Sequence, residues 1–248
     1  RLINESLDCA QAMQELIRMG VETIITFDAH DNRVQNAIPN NGFDNFFTSY
    51  QFISTILNDM PDLIVDNEHL MTISPDEGGM RRAVFYSNQL GVDMGMFFKR
   101  RNYSTLVNGE HPVISMEFLG NDVSGKDVII VDDMIASGKT VLEVAKELKK
   151  RNAARVIICA TFGLFNDGLE ELDQAYKEKV FDHIYTTNLC YCPSALKERP
   201  YYHNVDLSRY IALIIDTLNH DTSVNDIMNA TKRIQELLEE RSKNISSK

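Results

Sequence analysis

The stretch Val128-Ile129-Ile130-Val131-Asp132-Asp133-Met134-Ile135-Ala136-Ser137-Gly138-Lys139-Thr140 decides how this chain folds. Four β-branched residues in a row, with no polar alternation, make a strand buried on both faces, as in a parallel sheet covered by helices. Two acids stand at the strand's carboxyl end, and a turn of small residues then opens an apolar-periodic helix over 139–151. The unpaired N–H groups of a helix N-terminus, reinforced by the helix dipole, suit a phosphate. Neighbouring carboxylates accept hydrogen bonds from sugar hydroxyls. Asp132, Asp133, Ser137, Gly138, Lys139 and Thr140 are therefore candidates to bind a phosphorylated polyol. The segment is not a nucleotide P-loop, because the first glycine of Gly-x-x-x-x-Gly-Lys-Ser/Thr would fall at Asp133.

The same grammar extends in both directions. Strands are expected over 70–74, 92–98, 127–131 and 156–161, with helices over 77–90 and 139–151, a βαβ series that builds a doubly wound α/β core. Upstream, Leu7, Ala10, Met13, Leu16 and Ile17 mark a helix over 6–19 that stops at Gly20. A strand over 21–27 follows, and Asp28, His30, Asp31, Asn32 and Arg33 cluster at its carboxyl end, where open α/β sheets gather ligands. Downstream, a strand is expected over 181–186 and a helix over 207–218. From Ser223 onward, Val224, Ile227, Met228, Ile234, Leu237 and Leu238 form one apolar face that should pack on a neighbouring lobe or another subunit, before a polar tail over 242–248. Residues 42–45 and 102–112 read as loops, the second following Lys99-Arg100-Arg101.

Lys and Arg number 25 against 36 Asp and Glu in 248 residues, a net charge of −11. That balance disfavours general binding to nucleic acid or anionic membranes, so an anionic ligand must be met by a local site. No run approaches the roughly 18–20 apolar residues needed to cross a bilayer, and there is no signal pattern, so a cytoplasmic location is expected. Cys9, Cys159, Cys190 and Cys192 are too few and uneven for a disulfide framework and read as reduced thiols. Cys190 and Cys192 lack the second pair that a zinc site needs. The chain opens at Arg1 without a methionine, so a fragment or processed product is expected.

The segment 128–140 resembles the ribose 5-phosphate loop of the type I phosphoribosyltransferase fold. Three further segments, in the same order, resemble the ribose-phosphate pyrophosphokinase family, also called phosphoribosyl pyrophosphate synthetases. They are Phe27-Asp28-Ala29-His30, Ser74-Pro75-Asp76-Glu77-Gly78-Gly79-Met80-Arg81-Arg82-Ala83 and the basic run Lys99-Arg100-Arg101. The resemblance spans about residues 5–230.

It implies an α/β fold of two phosphoribosyltransferase-like lobes, with mainly parallel sheets flanked by helices and the first lobe incomplete. Residues 1–45 would be the remainder of the N-terminal lobe, 46–220 the C-terminal lobe and 221–248 a C-terminal helix and tail. The implied reaction moves a diphosphoryl group from ATP to the 1-hydroxyl of ribose 5-phosphate, for nucleotide biosynthesis. His30 and Asp76 would hold Mg²⁺ and Asp76 would lie beside the sugar, while His30, Lys99 and Arg101 would face ATP. Lys99 and Arg101 would be the catalytic cations that neutralise charge on the transferred group. The resemblance also implies a homo-oligomer.

Two departures stand out. Ala136 replaces a residue usually acidic in the family, which removes one sugar acceptor. Lys139 stands where glycine is common, either as a cation near the 5-phosphate or pointing to solvent. Family members also carry further residues upstream of Glu5, including some that hold adenine, so weak ATP binding is expected of this chain. The alternatives are a non-catalytic regulatory homologue and a phosphoribosyltransferase.

Overall fold

The computed structural model describes residues 6–101 and 113–246. In chain order the elements are α1 (Asp8–Arg18), β1 (Thr23–Phe27), a 3-10 turn (Asn32–Ala37), β2 (Gly42–Phe46), α2 (Ser49–Asp59), β3 (Leu70–Ser74), α3 (Met80–Leu90), β4 (Asp93–Arg101) and β5 (Val113–Leu119). There follow β6 (Asp127–Ile135), α4 (Lys139–Lys150), β7 (Val156–Gly163), α5 (Glu170–Lys177), β8 (His183–Thr187), α6 (Ser194–Lys197), β9 (Tyr202–Val205), α7 (Ser208–Asn219), α8 (Asn225–Met228) and α9 (Thr231–Ser246). They fall into two compact units, Arg1–Thr48 and Ser49–Lys248.

In the first unit β1 and β2 pair in parallel, Thr23 opposite Gly42 through Phe27 opposite Phe46. The loop expected over 42–45 is therefore a strand. Its polar residues hid it, yet Phe46 is fully buried and packs against Phe27 at 5.9 Å between ring centroids.

The second unit holds one seven-stranded sheet of order β5-β4-β3-β6-β7-β8-β9, parallel throughout except where β5 runs against β4. The chain builds outward from β3 in one direction through β4 and β5, then returns to the other side of β3 with β6. Crossovers of one hand moving in opposite directions place α3 and α4 on opposite faces. The chain order reverses between β3 and β6, and the carboxyl ends of such a pair form the switch-point crevice where these sheets bind ligands.

The core follows the sequence pattern. All five residues of β3 are buried, as are Val128–Val131 of β6 and Val156–Thr161 of β7. Each apolar side chain there contributes about 1.5–3 kcal/mol by leaving water. The helix expected from residue 77 begins at Met80, because the preceding turn is tied up in hydrogen bonds described below. The single C-terminal helix is two, α8 and α9. Asn229 adopts extended backbone between them and its side chain accepts from the Thr231 amide at 3.1 Å, a cap that restarts the helix. The tail expected over 242–248 is helical as far as Ser246. The expected loop at 102–112 lies outside the described residues.

Helix α9 packs on α2 and α3 of its own unit, with Ile234 fully buried. The Arg241 guanidinium donates to four backbone carbonyls around the end of α2: Leu57 at 2.6 Å, Met60 at 3.0 Å, Pro61 at 3.0 Å and Leu63 at 2.8 Å. Carbonyls that a helix end leaves unsatisfied are thus paired.

A second polar chain ties α2 to the β8–β9 edge. Asp59 Oδ2 lies 3.1 Å from His203 Nδ1, and His203 Nε2 lies 2.9 Å from His183 Nδ1. Burial holds both imidazoles below the ordinary value of 6.5, reinforced at His183 by its neighbour His203 and opposed at His203 by Asp59. Histidines that resist protonation when folded bind protons more readily when unfolded. Their contribution is complete above about pH 6.5 and is lost as the pH falls. By calorimetry the unaltered protein should accordingly lose about 2–4 °C more in Tm between pH 7.5 and pH 5.5 than His183→Asn does.

Candidate active site

The crevice is built by two turns. After β3 the chain runs Ser74-Pro75-Asp76-Glu77-Gly78-Gly79 into α3. Ser74 Oγ donates to the Asp76 carbonyl at 2.6 Å, and the Gly79 amide donates to Asp76 Oδ1 at 3.1 Å. Gly79 has no room for a side chain, since a Cβ there would lie 2.8 Å from Ser74 Oγ and 3.4 Å from the Val131 carbonyl oxygen. That close approach lets the first turn of α3 lean on β6 and delivers Arg82 to the acid pair.

Arg82 Nη1 stands 3.9 Å from Asp132 Oδ1 and 3.9 Å from Asp133 Oδ1. The three side chains are only 15%, 16% and 6% exposed. The Asp133 amide also donates to Asp132 Oδ1 at 2.9 Å. Burial, followed by the hydrogen bond and charge of Asp133, pushes the Asp132 carboxyl up to about 8, while Arg82 pulls the other way. At neutral pH the pair holds a proton that two isolated aspartates would have released.

Beyond β6 the turn Ala136-Ser137-Gly138 opens α4. Gly138 has φ 88°, a left-handed conformation that suits glycine, and Leu172 closes over it at 3.4 Å from where a Cβ would sit. Ser137 Oγ accepts from the Lys139 amide at 3.4 Å. The connection between β7 and α5 braces this turn from behind, with the Leu164 amide on the Ile135 carbonyl at 2.9 Å and the Asn166 amide on the Ala136 carbonyl at 2.8 Å. Lys139 Nζ pairs with Asp167 of that brace at 3.1 Å, with both side chains exposed, so Lys139 lies towards solvent, as one of its two expectations had it. Thr140 stands half-buried in the first turn of α4.

In the first unit His30 is exposed just beyond β1. The turn around it is set by β2: Asn45 Oδ1 accepts from the Ala29 amide at 3.0 Å and Asn45 Nδ2 donates to Asn32 Oδ1 at 2.6 Å. Asp28, buried with φ 43°, accepts from Thr48 Oγ1 at 3.0 Å.

Asp76, Asp132, Asp133 and the 137–140 turn thus share one crevice edge, whereas His30 belongs to the other unit. Lys99 and Arg101 lie on β4, whose backbone pairs Lys99 with Met116 and Arg101 with Val113. Their side chains lie outside the described residues. Sequence reasoning passed over Arg82, although it sits inside the quoted segment. The helical phase separates it from its neighbour, since Arg81 is exposed and Arg82 turns inward.

Among the described residues no group of three or more His, Cys, Asp or Glu is arranged to hold a metal ion. The Cys190 and Cys192 thiols are free, engaged by the Gly163 carbonyl at 3.5 Å and the Tyr202 hydroxyl at 3.3 Å. No helix among the described residues is long and apolar enough to cross a membrane.

Residues 48–194 match the phosphoribosyl transferase domain, more than half of the chain. The chain belongs to that family. Within it, the ribose-phosphate pyrophosphokinase of Mycoplasma genitalium is 31% identical over 176 residues, covering 70% of this chain and 48% of that protein. The enzyme of the same name from Vibrio parahaemolyticus is 30% identical over 220 residues, covering 86% and 63%. Among solved structures, phosphoribosylpyrophosphate synthetase from Mycobacterium smegmatis superposes with a TM-score of 0.73 at 22% identity, over 88% of this chain and 65% of that one, and so shares the fold. The chain spans between 48% and 65% of the length of these relatives.

A carboxyl raised in the folded protein destabilises as it ionises. Its cost is absent below the unfolded value near 3.8 and grows as the pH rises towards 8. Asp132→Asn should therefore raise Tm more at pH 9 than at pH 5 when melting curves are compared with the unaltered protein.

Proposed function

We propose that the protein transfers the diphosphoryl group of ATP to the 1-hydroxyl of ribose 5-phosphate, giving phosphoribosyl pyrophosphate and AMP for nucleotide biosynthesis. The observation that carries this reading is the largely buried acid pair at the end of β6, followed directly by the small-residue turn at the N-terminus of α4. The names borne by the Mycoplasma and Vibrio relatives support it.

Asp132 and Asp133 accept hydrogen bonds from the ribose hydroxyls. The backbone amides of the 137–140 turn and the hydroxyls of Ser137 and Thr140 take the 5-phosphate. So held, the sugar presents its 1-hydroxyl to the β-phosphorus of ATP. The new O–P bond forms as the bond from the β-phosphorus to the AMP oxygen breaks, and the hydroxyl proton leaves. Lys99 and Arg101 stabilise charge on the group in transit, which is most of what a protein can do for such a transfer. A Mg²⁺ ion would neutralise the ATP phosphates. In the larger unit Asp76, a hard oxygen donor, would hold it or its water shell, and a site of few protein ligands agrees with the way Mg²⁺ keeps its waters, while in the smaller unit His30 is the residue that the family resemblance assigns to the ATP-bound ion. With Oδ1 of Asp76 committed to the Gly79 amide, Oδ2 is the oxygen for that shell.

Ala136 favours a second reading, a regulatory homologue that binds the sugar without turnover. The test is AMP release from ATP and Mg²⁺ with and without ribose 5-phosphate, beside calorimetric binding of the sugar. Release that depends on the sugar is expected, and Lys99→Ala should cut it at least about a hundredfold while sugar affinity stays within about threefold. Binding without release supports the regulatory reading, and absence of both refutes each.

A further inference from the structure

We infer that Arg82 is a positioning residue that governs the ionisation of the Asp132–Asp133 pair and thereby sets the pH range in which the crevice accepts a polyol phosphate. The inference rests on the reading of that crevice given above and adds to it a residue and a mode of control.

The argument is geometric. One guanidinium nitrogen is equidistant, at 3.9 Å, from an oxygen of each acid, so Arg82 is partner to the pair rather than to either member. At that distance the contact is charge at close range, without the short bidentate bonds that Arg155 makes to Asp127 at 2.9 Å and 2.6 Å in the same unit. Arg82 therefore favours the ionised form of the pair, the form with most lone pairs for sugar hydroxyls.

Asp132 feels Asp133 on its own strand and Arg82 from α3. On β7, Ala160 is its register partner and Thr161 follows, neither of them titratable at this level. β3 ends in Ser74, and Asp76 beyond it is turned to the Gly79 amide. On α4, Lys139 is committed to Asp167. Burial then explains why this arginine matters, since both carboxylates resist ionising together and a charge at 3.9 Å from each shifts how far they do.

A hydroxyl donor needs an acceptor lone pair, so a proton resting between the two acids competes with the ribose diol. Without Arg82 that proton persists to higher pH. The experiment is calorimetric binding of ribose 5-phosphate to the full chain from pH 7 to 9.5, above the second phosphate ionisation near 6. It compares the unaltered protein, Arg82→Met and Arg82→Lys. Carboxyl-carbon NMR titration of the same three proteins, with Asp132→Asn for assignment, reads the pair directly, and circular dichroism checks folding.

Arg82→Met is expected to weaken binding about tenfold or more at pH 7.5 and far less at pH 9.5, to move the pair's titration upward by about one unit or more, and to be rescued in part by Arg82→Lys. An equal loss at both pH values, or a titration that does not move, overturns the inference and leaves Arg82 a packing residue. Failure of the unaltered protein to bind the sugar at any pH overturns the polyol phosphate reading itself. The NMR titration still separates that outcome from a failure of the Arg82 assignment.

Discussion

The close approach of α3 to β6 at Gly79 is the contact on which the site depends. Parallel strands leave their carbonyl ends on one side of the sheet, and the reversal of chain order at β3 parts the helices that would otherwise cover them. The crevice would still be only a gap. It becomes a site because the missing side chain at Gly79 lets the helix carry Arg82 to within 3.9 Å of the β6 acids, and because Asp76 holds the turn that makes the approach possible.

One strand serves two opposed ends. Along β6, Val128 to Val131 stabilise the sheet by burial, and the next two residues draw that dry environment around carboxylates. Burial raises the cost of ionising Asp132, and the same burial strengthens any hydrogen bond a ligand makes there. Stability and ligand affinity thus pull in opposite directions at a single position, as they commonly do where binding groups stand at the margin of a core.

Most of the parallel sheet was readable from unbroken runs of β-branched residues, and the turn that opens α4 from the acids and small residues that follow one of them. What escaped had a weaker local signature. β2 carries Asp44 and Asn45 in a five-residue strand, and only pairing with β1 makes it one. β5 is an antiparallel edge, and β9 has four residues with two polar. The break before α9 depends on the Asn229 cap. Arg82 stood in plain view within a quoted segment, but its importance lies in distances to residues fifty positions away, which a pattern along the chain does not carry. The side chains of Lys99 and Arg101 fall outside the described residues, so their part rests on resemblance.

The clasp of Arg241 on the carbonyls of residues 57 to 63 has a consequence for the order in which the chain matures. Its partners lie 178–184 positions earlier. On a ribosome making roughly 5–20 residues each second, the end of α2 emerges many seconds before the arginine that will satisfy it. During that interval the exposed carbonyls are left to water, and the α2 face that Ile234 will help cover is still open. Completion of this unit therefore waits on the emergence of residue 241, and the interval before it is when a nascent copy is most exposed to wrong partners.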